Sequence, residues 1–93
     1  MARGAVILSS DLSWSDLTDS VFLGADLRET SFVGSKLAGA LMIGADLKGA
    51  NLRSTDLRLV NLSDALLVGA YADSDTQWPP DLDPRAEGIS FGN

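Results

Sequence analysis

Every fifth residue of this chain is large and apolar from residue 7 to residue 67. A period of five fits neither an α-helix, which repeats roughly every 3.6 residues, nor a β-strand, whose side chains alternate from one residue to the next. A chain that turns a corner every five residues would keep these side chains together, and we call them the core column. Its thirteen members are Ile7, Leu12, Leu17, Phe22, Leu27, Phe32, Leu37, Met42, Leu47, Leu52, Leu57, Leu62 and Leu67.

The positions around the core column are equally regular. The residue two places before each member is Ala, Ser or Thr in twelve of thirteen units. The residue between them is often Asp or Asn, and Gly recurs two places after the core residue. Gly tolerates the backbone conformations of tight corners, and Asp and Asn side chains hydrogen-bond to nearby amides. Each unit is therefore predicted to send one large and one small side chain inward and then to turn.

This repeat resembles that of the pentapeptide-repeat family, which is written A(D/N)LXX. Matching stretches begin at Ala25, Ala45 and Ala50, and the resemblance extends from residue 5 to about residue 72. It implies an all-β fold, a right-handed quadrilateral parallel β-solenoid with four units in each coil and just over three coils. We expect an N-terminal lead at residues 1–4, the solenoid at residues 5–72 and a C-terminal capping tail at residues 73–93.

The tail has a different composition, since all three prolines follow the repeats. We expect Trp78 to cover Leu62 or Leu67 as a cap, and a tryptophan that stacks on a ligand is the alternative. Asp83 to Gly88 predicts one helical turn, with Asp at its N-cap and Gly after its last residue. No comparable cap precedes the first coil, so that coil is expected to associate with another molecule, to fray or to continue a longer protein.

An apolar patch is predicted on the fourth face of the solenoid. Residues that flank the core column point outward, and residues 20 apart stack, which places Val21 and Leu23 beside Leu41 and Ile43. Such a patch would approach about 400 Å², a size at which exposed apolar surface tends to be functional. Tolerance of scattered apolar residues is the alternative.

Three further residues are candidates for an interface. Val6 and Leu8 flank the first core residue, where polar side chains normally lie. Trp14 falls at a corner, and Gly34 leaves room for its ring one coil further on. The tryptophan is therefore either packed against that corner or an anchor for a partner.

Composition excludes several chemistries. The 93-residue chain has no cysteine and no histidine, so disulfides, thiolate or imidazole metal sites and histidine-based nucleophiles are excluded. A net charge of −6 disfavours direct nucleic-acid binding. No phosphate-loop spacing is present, and acid pairs such as Asp16 and Asp19 are expected on the solvated surface. We predict no catalytic residue, no metal and no cofactor, and hence no enzyme.

The apolar runs are also much shorter than the roughly 20 residues of a membrane span, and the sequence shows no signal peptide pattern. We therefore expect no membrane contact and a cytoplasmic location.

These features predict a structural or protein-interaction module that forms homo-oligomers through the apolar face or the uncapped N-terminal coil. Its protein partner is not identified by the sequence. The family resemblance implies an alternative, a DNA mimic that binds a type II topoisomerase such as gyrase and protects against quinolones. A DNA mimic should be acidic along its length, whereas residues 31–60 hold four basic and two acidic residues, a net charge of +2.

Overall fold

Each stretch of the chain pairs in parallel with the stretch 20 residues later. In the computed structural model, which describes residues 9–92, bridges join Asp11 to Ser31, Asp16 to Lys36 and Val21 to Leu41. The same pairing carries on to residues 51, 56 and 61. Because four five-residue units separate paired residues, one circuit of the chain takes four units. The described chain is therefore a β-solenoid in which each unit contributes one face of one turn.

Backbone hydrogen bonds hold successive turns together. The N–H of Leu27 donates to the carbonyl oxygen of Asp46 at 2.8 Å, and the N–H of Asp46 donates to that of Ala25 at 2.9 Å. Corners interrupt the pairing after about one residue per face. Consequently the only longer strands among residues 9–92 are β1, Tyr71–Ala72, and β2, Ser90–Phe91, which pair in parallel.

The side chains of the core column point into the solenoid. From residue 22 to residue 67 every member is buried, as are the small residues two places before them from residue 25 onward. Polar small residues are satisfied there, since the Thr55 hydroxyl donates to the carbonyl oxygen of Phe32 at 3.0 Å. Leu12 and Leu17 are only half-buried, while Ile7 lies outside the described residues.

Two local features form the corners. The first is a backbone turn, in which the N–H of Ala25 donates to the carbonyl oxygen of Phe22 at 3.1 Å and Gly24 between them has a φ of 63°. This geometry is a type II β-turn. The second is a side-chain hydrogen bond, in which Asp26 accepts from the N–H of Arg28 at 3.3 Å and Asn51 accepts from that of Arg53 at 3.2 Å. The recurring Asp or Asn therefore satisfies an amide that the corner leaves without a backbone partner.

The tail continues the path of the solenoid with altered spacing. Gln77 pairs with Asp56, 21 residues earlier, so one residue is inserted and Trp78 follows the column of Leu57. The expected cover of Leu62 or Leu67 by Trp78 stays a prediction, and these two residues lie in the next two columns. Trp78, Leu82 and Ile89 are partly buried against the core.

Between Trp78 and β2 the tail makes one turn at residues 79–82 and then two overlapping turns. The N–H of Ala86 donates to the carbonyl oxygen of Asp83, and the N–H of Glu87 donates to that of Pro84. Asp83 also accepts a side-chain hydrogen bond from the N–H of Arg85 at 3.0 Å, as an N-cap residue would. These bonds join residues three apart, so the predicted helical turn has the 3₁₀ pattern and not that of an α-helix. The domain boundaries at residues 4 and 72 stay a prediction.

Substituting Leu37 by Asp should unfold the chain, because Leu37 is buried and an unpaired carboxylate there has no partner to offset its desolvation. That penalty is a large part of the roughly 5–15 kcal/mol of stability of a small domain. Leu59→Asp is the matched control, since Leu59 is 72% exposed at a corner. Circular dichroism melting of both variants measures the effect. A Leu37→Asp protein that melts near the unmutated one would contradict the burial of this column.

Candidate protein-interaction surface

The fourth face carries two adjacent apolar rows. Val21 bridges to Leu41 in parallel, and the N–H of Gly24 donates to the carbonyl oxygen of Ile43 at 3.0 Å. Leu23, next to Gly24, therefore lies beside Ile43. We call these four residues, Val21, Leu23, Leu41 and Ile43, the fourth-face patch.

The patch is smaller than its residue types suggest. Leu41 and Ile43 are each 37% exposed, and Val21 and Leu23 are half-buried. Side chains of adjacent turns stand only about 4.8 Å apart, so they cover one another. The exposed apolar area is therefore well below the 400 Å² expected from four fully exposed residues.

The borders of the patch are uncharged on one side and polar on the next turn. A Cβ atom at Gly24 or Gly44 would project into open space. Because both residues are glycines, no side chain extends from the corner beside Leu23 and Ile43. The same columns continue in Asn61 and Ser63, where the Asn61 side chain accepts from the N–H of Ser63 at 3.0 Å. The fold therefore accepts polar residues at these positions and does not itself require the apolar ones.

Beyond Asn61 and Ser63 the face becomes acidic. A groove of about 610 Å³ separates the last turn of the fourth face from the tail. Its lining includes one cation, Arg58, and four carboxylates, which are Asp64, Asp81, Asp83 and Glu87. Negative charge is thus concentrated at the C-terminal end of this face.

Trp14 lies against its neighbouring turn and is also exposed. A Cβ atom at Gly34 would overlap the Trp14 ring, so the ring rests on the glycine. The side chain nevertheless remains 77% exposed. The two interpretations of Trp14 therefore describe opposite faces of one indole ring.

The N-terminal edge is the other predicted contact surface. Val6 and Leu8 lie outside the described residues, so their part in an interface stays a prediction. Within the described chain, Leu12 and Leu17 are half-buried, whereas Leu52 and Leu57 in the same columns are fully buried. Apolar core is therefore accessible at this edge.

Exposed apolar residues outside these surfaces were missed. The rule that identified the fourth-face patch applies equally to the neighbours of Leu67, which are Leu66 and Val68, and both are exposed. Tyr71 is also exposed, with the Arg53 guanidinium 5.0 Å from its ring centre, and so are Leu59 and Phe91. Leu66 and Val68 form a single row, because the preceding turn carries the charged Asp46 and Lys48 at those positions.

The first face of the solenoid, which carries the residues that flank Leu27, Leu47 and Leu67, holds a small ion-pair network. Arg28 donates to Asp26 through Nη2 at 2.8 Å, and its Nε lies 3.8 Å from Asp46. Lys48 lies 3.8 Å from the same Asp46 carboxylate. The hydrogen bond from the Arg28 side chain is the main cause that lowers the pKa of Asp26, and Arg58 lowers the pKa of Asp56 in the same way. The groups are exposed, so the network is a solvated charged surface of modest energy.

Among residues 9–92, no group of three His, Cys, Asp or Glu side chains is arranged to hold a metal ion. No helix in that same part of the chain is long and apolar enough to cross a membrane.

The stacked five-residue units define a class of proteins, the short-repeat β-solenoids. A family model described as pentapeptide repeats matches the chain in eight copies, over residues 9–42 and 25–64. The chain belongs to the pentapeptide repeat family. Members of this family are generally structural or interaction modules.

Solved structures give the same result. A pentapeptide repeat protein from Nostoc Pcc 7120 is 29% identical with a TM-score of 0.56, covering 97% of this chain and 83% of its own. One from the Arabidopsis thaliana thylakoid lumen is 31% identical with a TM-score of 0.55, covering 95% and 62%. The plasmid-mediated fluoroquinolone resistance protein QnrB1 is 24% identical with a TM-score of 0.57, and this chain spans only 38% of its length. That likeness is one of fold. The chain matches no curated protein.

The Trp14–Gly34 contact predicts a coupled effect on stability. Gly34→Ala should cost more than Gly24→Ala, because both glycines have a positive φ but only the new methyl group at residue 34 meets a neighbour. The left-handed conformation alone costs an alanine about 1 kcal/mol. In a Trp14→Ala background the two glycine substitutions should cost the same. Denaturant unfolding of the four variants measures this, and an unchanged difference would contradict the contact.

The lowered pKa of Asp26 and Asp56 predicts acid sensitivity. A carboxyl group whose pKa is lower in the folded chain stabilises it above the unfolded pKa, and this stabilisation is lost as the pH falls below about 4. Replacing both residues by Asn keeps the side-chain oxygen that accepts at the corner, as Asn51 shows, and removes the titration. Denaturant unfolding between pH 7 and pH 3 should give a shallower loss for the double variant. Equal slopes would contradict the role of these two groups.

Proposed function

We propose that this protein is a non-enzymatic interaction module that associates with itself, through the fourth-face patch or the N-terminal edge, and binds a further protein partner. The observation that carries the proposal is the pair of apolar rows on adjacent turns. Asn61 and Ser63 occupy the same columns one turn later, so folding does not account for Leu41 and Ile43. Association would remove their exposed surface from water, which is favourable by roughly 25 cal/mol per Å².

The accessible core at the N-terminal edge supports the second route. Leu12 and Leu17 are only half-buried, whereas Leu52 and Leu57, two turns further along the same columns, are fully buried. A partner that covers this edge would complete the packing of both columns. Repeat proteins generally need such cover at their terminal repeats.

The finer features of the fold belong to the same proposal. We infer a right-handed winding with just over three coils, a cap formed by residues 73–93 and a cytoplasmic protein without catalytic activity. The absence of histidine and cysteine from the sequence supports the last of these, because most nucleophilic and acid–base sites use them.

Similarity to QnrB1 in fold is the observation behind the alternative, binding to a type II topoisomerase with protection against quinolones. The net charge of +2 over residues 31–60 weakens it, because a protein that imitates DNA requires acidic surface along its length. Gyrase supercoiling with a quinolone present tests this alternative. Restored supercoiling on addition of the protein would favour it over the interaction module.

Self-association is tested by light scattering at high micromolar concentration. The unmutated protein should show a mass above that of the monomer, and Leu41→Lys with Ile43→Lys should lower it. A second variant, Val6→Lys with Leu8→Lys, tests the N-terminal edge. The matched control is Leu66→Lys with Val68→Lys, an equally apolar exposed pair on the first face, which should leave the mass unchanged.

Two results would contradict this proposal. One is a monomeric mass for the unmutated protein at the highest concentration. The other is an unchanged mass in both test variants, which would mean that neither surface forms the contact.

A further inference from the structure

We infer that the fourth-face patch binds the same patch of a second copy of this chain, with the two solenoid axes antiparallel. The inference deepens the proposed self-association and rests on it. In this dimer the Val21–Leu23 row of one copy contacts the Leu41–Ile43 row of the other, and the reciprocal contact completes the interface.

The patch is complementary to itself. The bridge from Val21 to Leu41 and the backbone bond from Gly24 to Ile43 place the two rows in register, each with two apolar side chains at the same spacing. A twofold axis that runs along the strands, midway between the rows, puts each row opposite the other. Symmetric dimers are built in this way, with one surface used twice. A second copy therefore supplies a fitting surface without any other partner.

Charge decides the direction of the two axes. The carboxylates around the groove, among them Asp64, Asp81 and Asp83, lie on the same face as the patch and toward its C-terminal end. Parallel axes would hold the two acidic ends side by side, and like charges at close range oppose association. Antiparallel axes move them to opposite ends of the dimer. Asp19, at the corner before Val21, lies over Gly39 of its own chain. In the antiparallel dimer Asp19 faces the corner at Gly39 of the second copy.

The other exposed apolar surfaces fit a second copy less well. The N-terminal edge carries the exposed carboxylates of Asp11, Asp16 and Asp19, so two such edges stacked end to end would repel. The Leu66–Val68 row has no second apolar row, because the turn before it carries Asp46 and Lys48. Gly88 of the tail also lies against Val68. The fourth face is therefore the exposed apolar surface whose apolar area and charge both favour contact with a second copy.

The size of the face sets the strength of the contact. The molecule measures 29 × 25 × 23 Å, so one face is smaller than the roughly 800 Å² that each partner buries in a stable complex. Gly24 and Gly44 at the edge of the patch permit close approach. We therefore expect a weak dimer that dissociates on dilution.

Cysteine cross-linking tests the arrangement, because the natural chain contains no cysteine. One preparation carries Leu23→Cys and is labelled with ¹⁵N, and another carries Ile43→Cys without label. Both positions point outward, so circular dichroism should match the unmutated protein. Facing sheets pack about 10 Å apart, too far for a direct disulfide, so the two are treated with a short bifunctional thiol reagent separately and as an equimolar mixture, and mass spectrometry counts mixed and identical pairs. Ser74→Cys, exposed and away from the fourth face, is the control for random collision.

The antiparallel dimer predicts that mixed pairs exceed identical pairs and the collision control. The cysteines of a mixed pair lie directly opposite each other in this dimer, whereas those of an identical pair are displaced by one row, about 4.8 Å, so mixed pairs should form faster. An excess of identical pairs would overturn the inference, because the two rows would then not face each other. Cross-linking no greater than the control, with a dimeric mass by light scattering, would overturn it and leave self-association through another surface. A monomeric mass would overturn both proposals.

Discussion

The 20-residue backbone pairing is the constraint on which the rest of this structure depends. After four units the chain must return to the same position around the axis, one strand spacing further along it, so that amides such as that of Leu27 meet carbonyl groups such as that of Asp46. A single added or missing residue would move a large side chain out of the core column. The tail accommodates one added residue, because its 21-residue step to Gln77 falls where the regular turns end.

The same constraint separates residues that fold the chain from residues free to do something else. The inward positions are needed in every unit. Outward positions vary, as the change from Leu41 to Asn61 in one column shows, and an Asp or Asn that accepts at the corner is present in only some units. Function in such a chain is therefore a matter of which outward side chains are apolar or charged, and of their neighbours 20 residues away. The fourth-face patch and the acidic groove beside it are the clearest examples.

The period of five was enough to predict corners and the burial of residues such as Leu47. The four-unit coil, and with it the stacking and the outward rows of the fourth face, was implied by the family resemblance. The exposure of the patch was not, because it depends on how far Val21 and Leu41 cover each other. The tail was predicted less well, since the inserted residue before Trp78 leaves no mark in the repeat. The row of Leu66 and Val68 was overlooked although the same rule identifies it.

We infer that two copies of this chain meet at the fourth face. Methyl NMR of the unmutated protein over a dilution series tests it most directly, because it needs no substitution and reports on each side chain. A fourth-face dimer predicts concentration-dependent shifts for the methyl groups of Val21, Leu23, Leu41 and Ile43, with those of Leu66 and Val68 unchanged. Shifts confined to Leu66 and Val68, or no shift at any concentration, would contradict it.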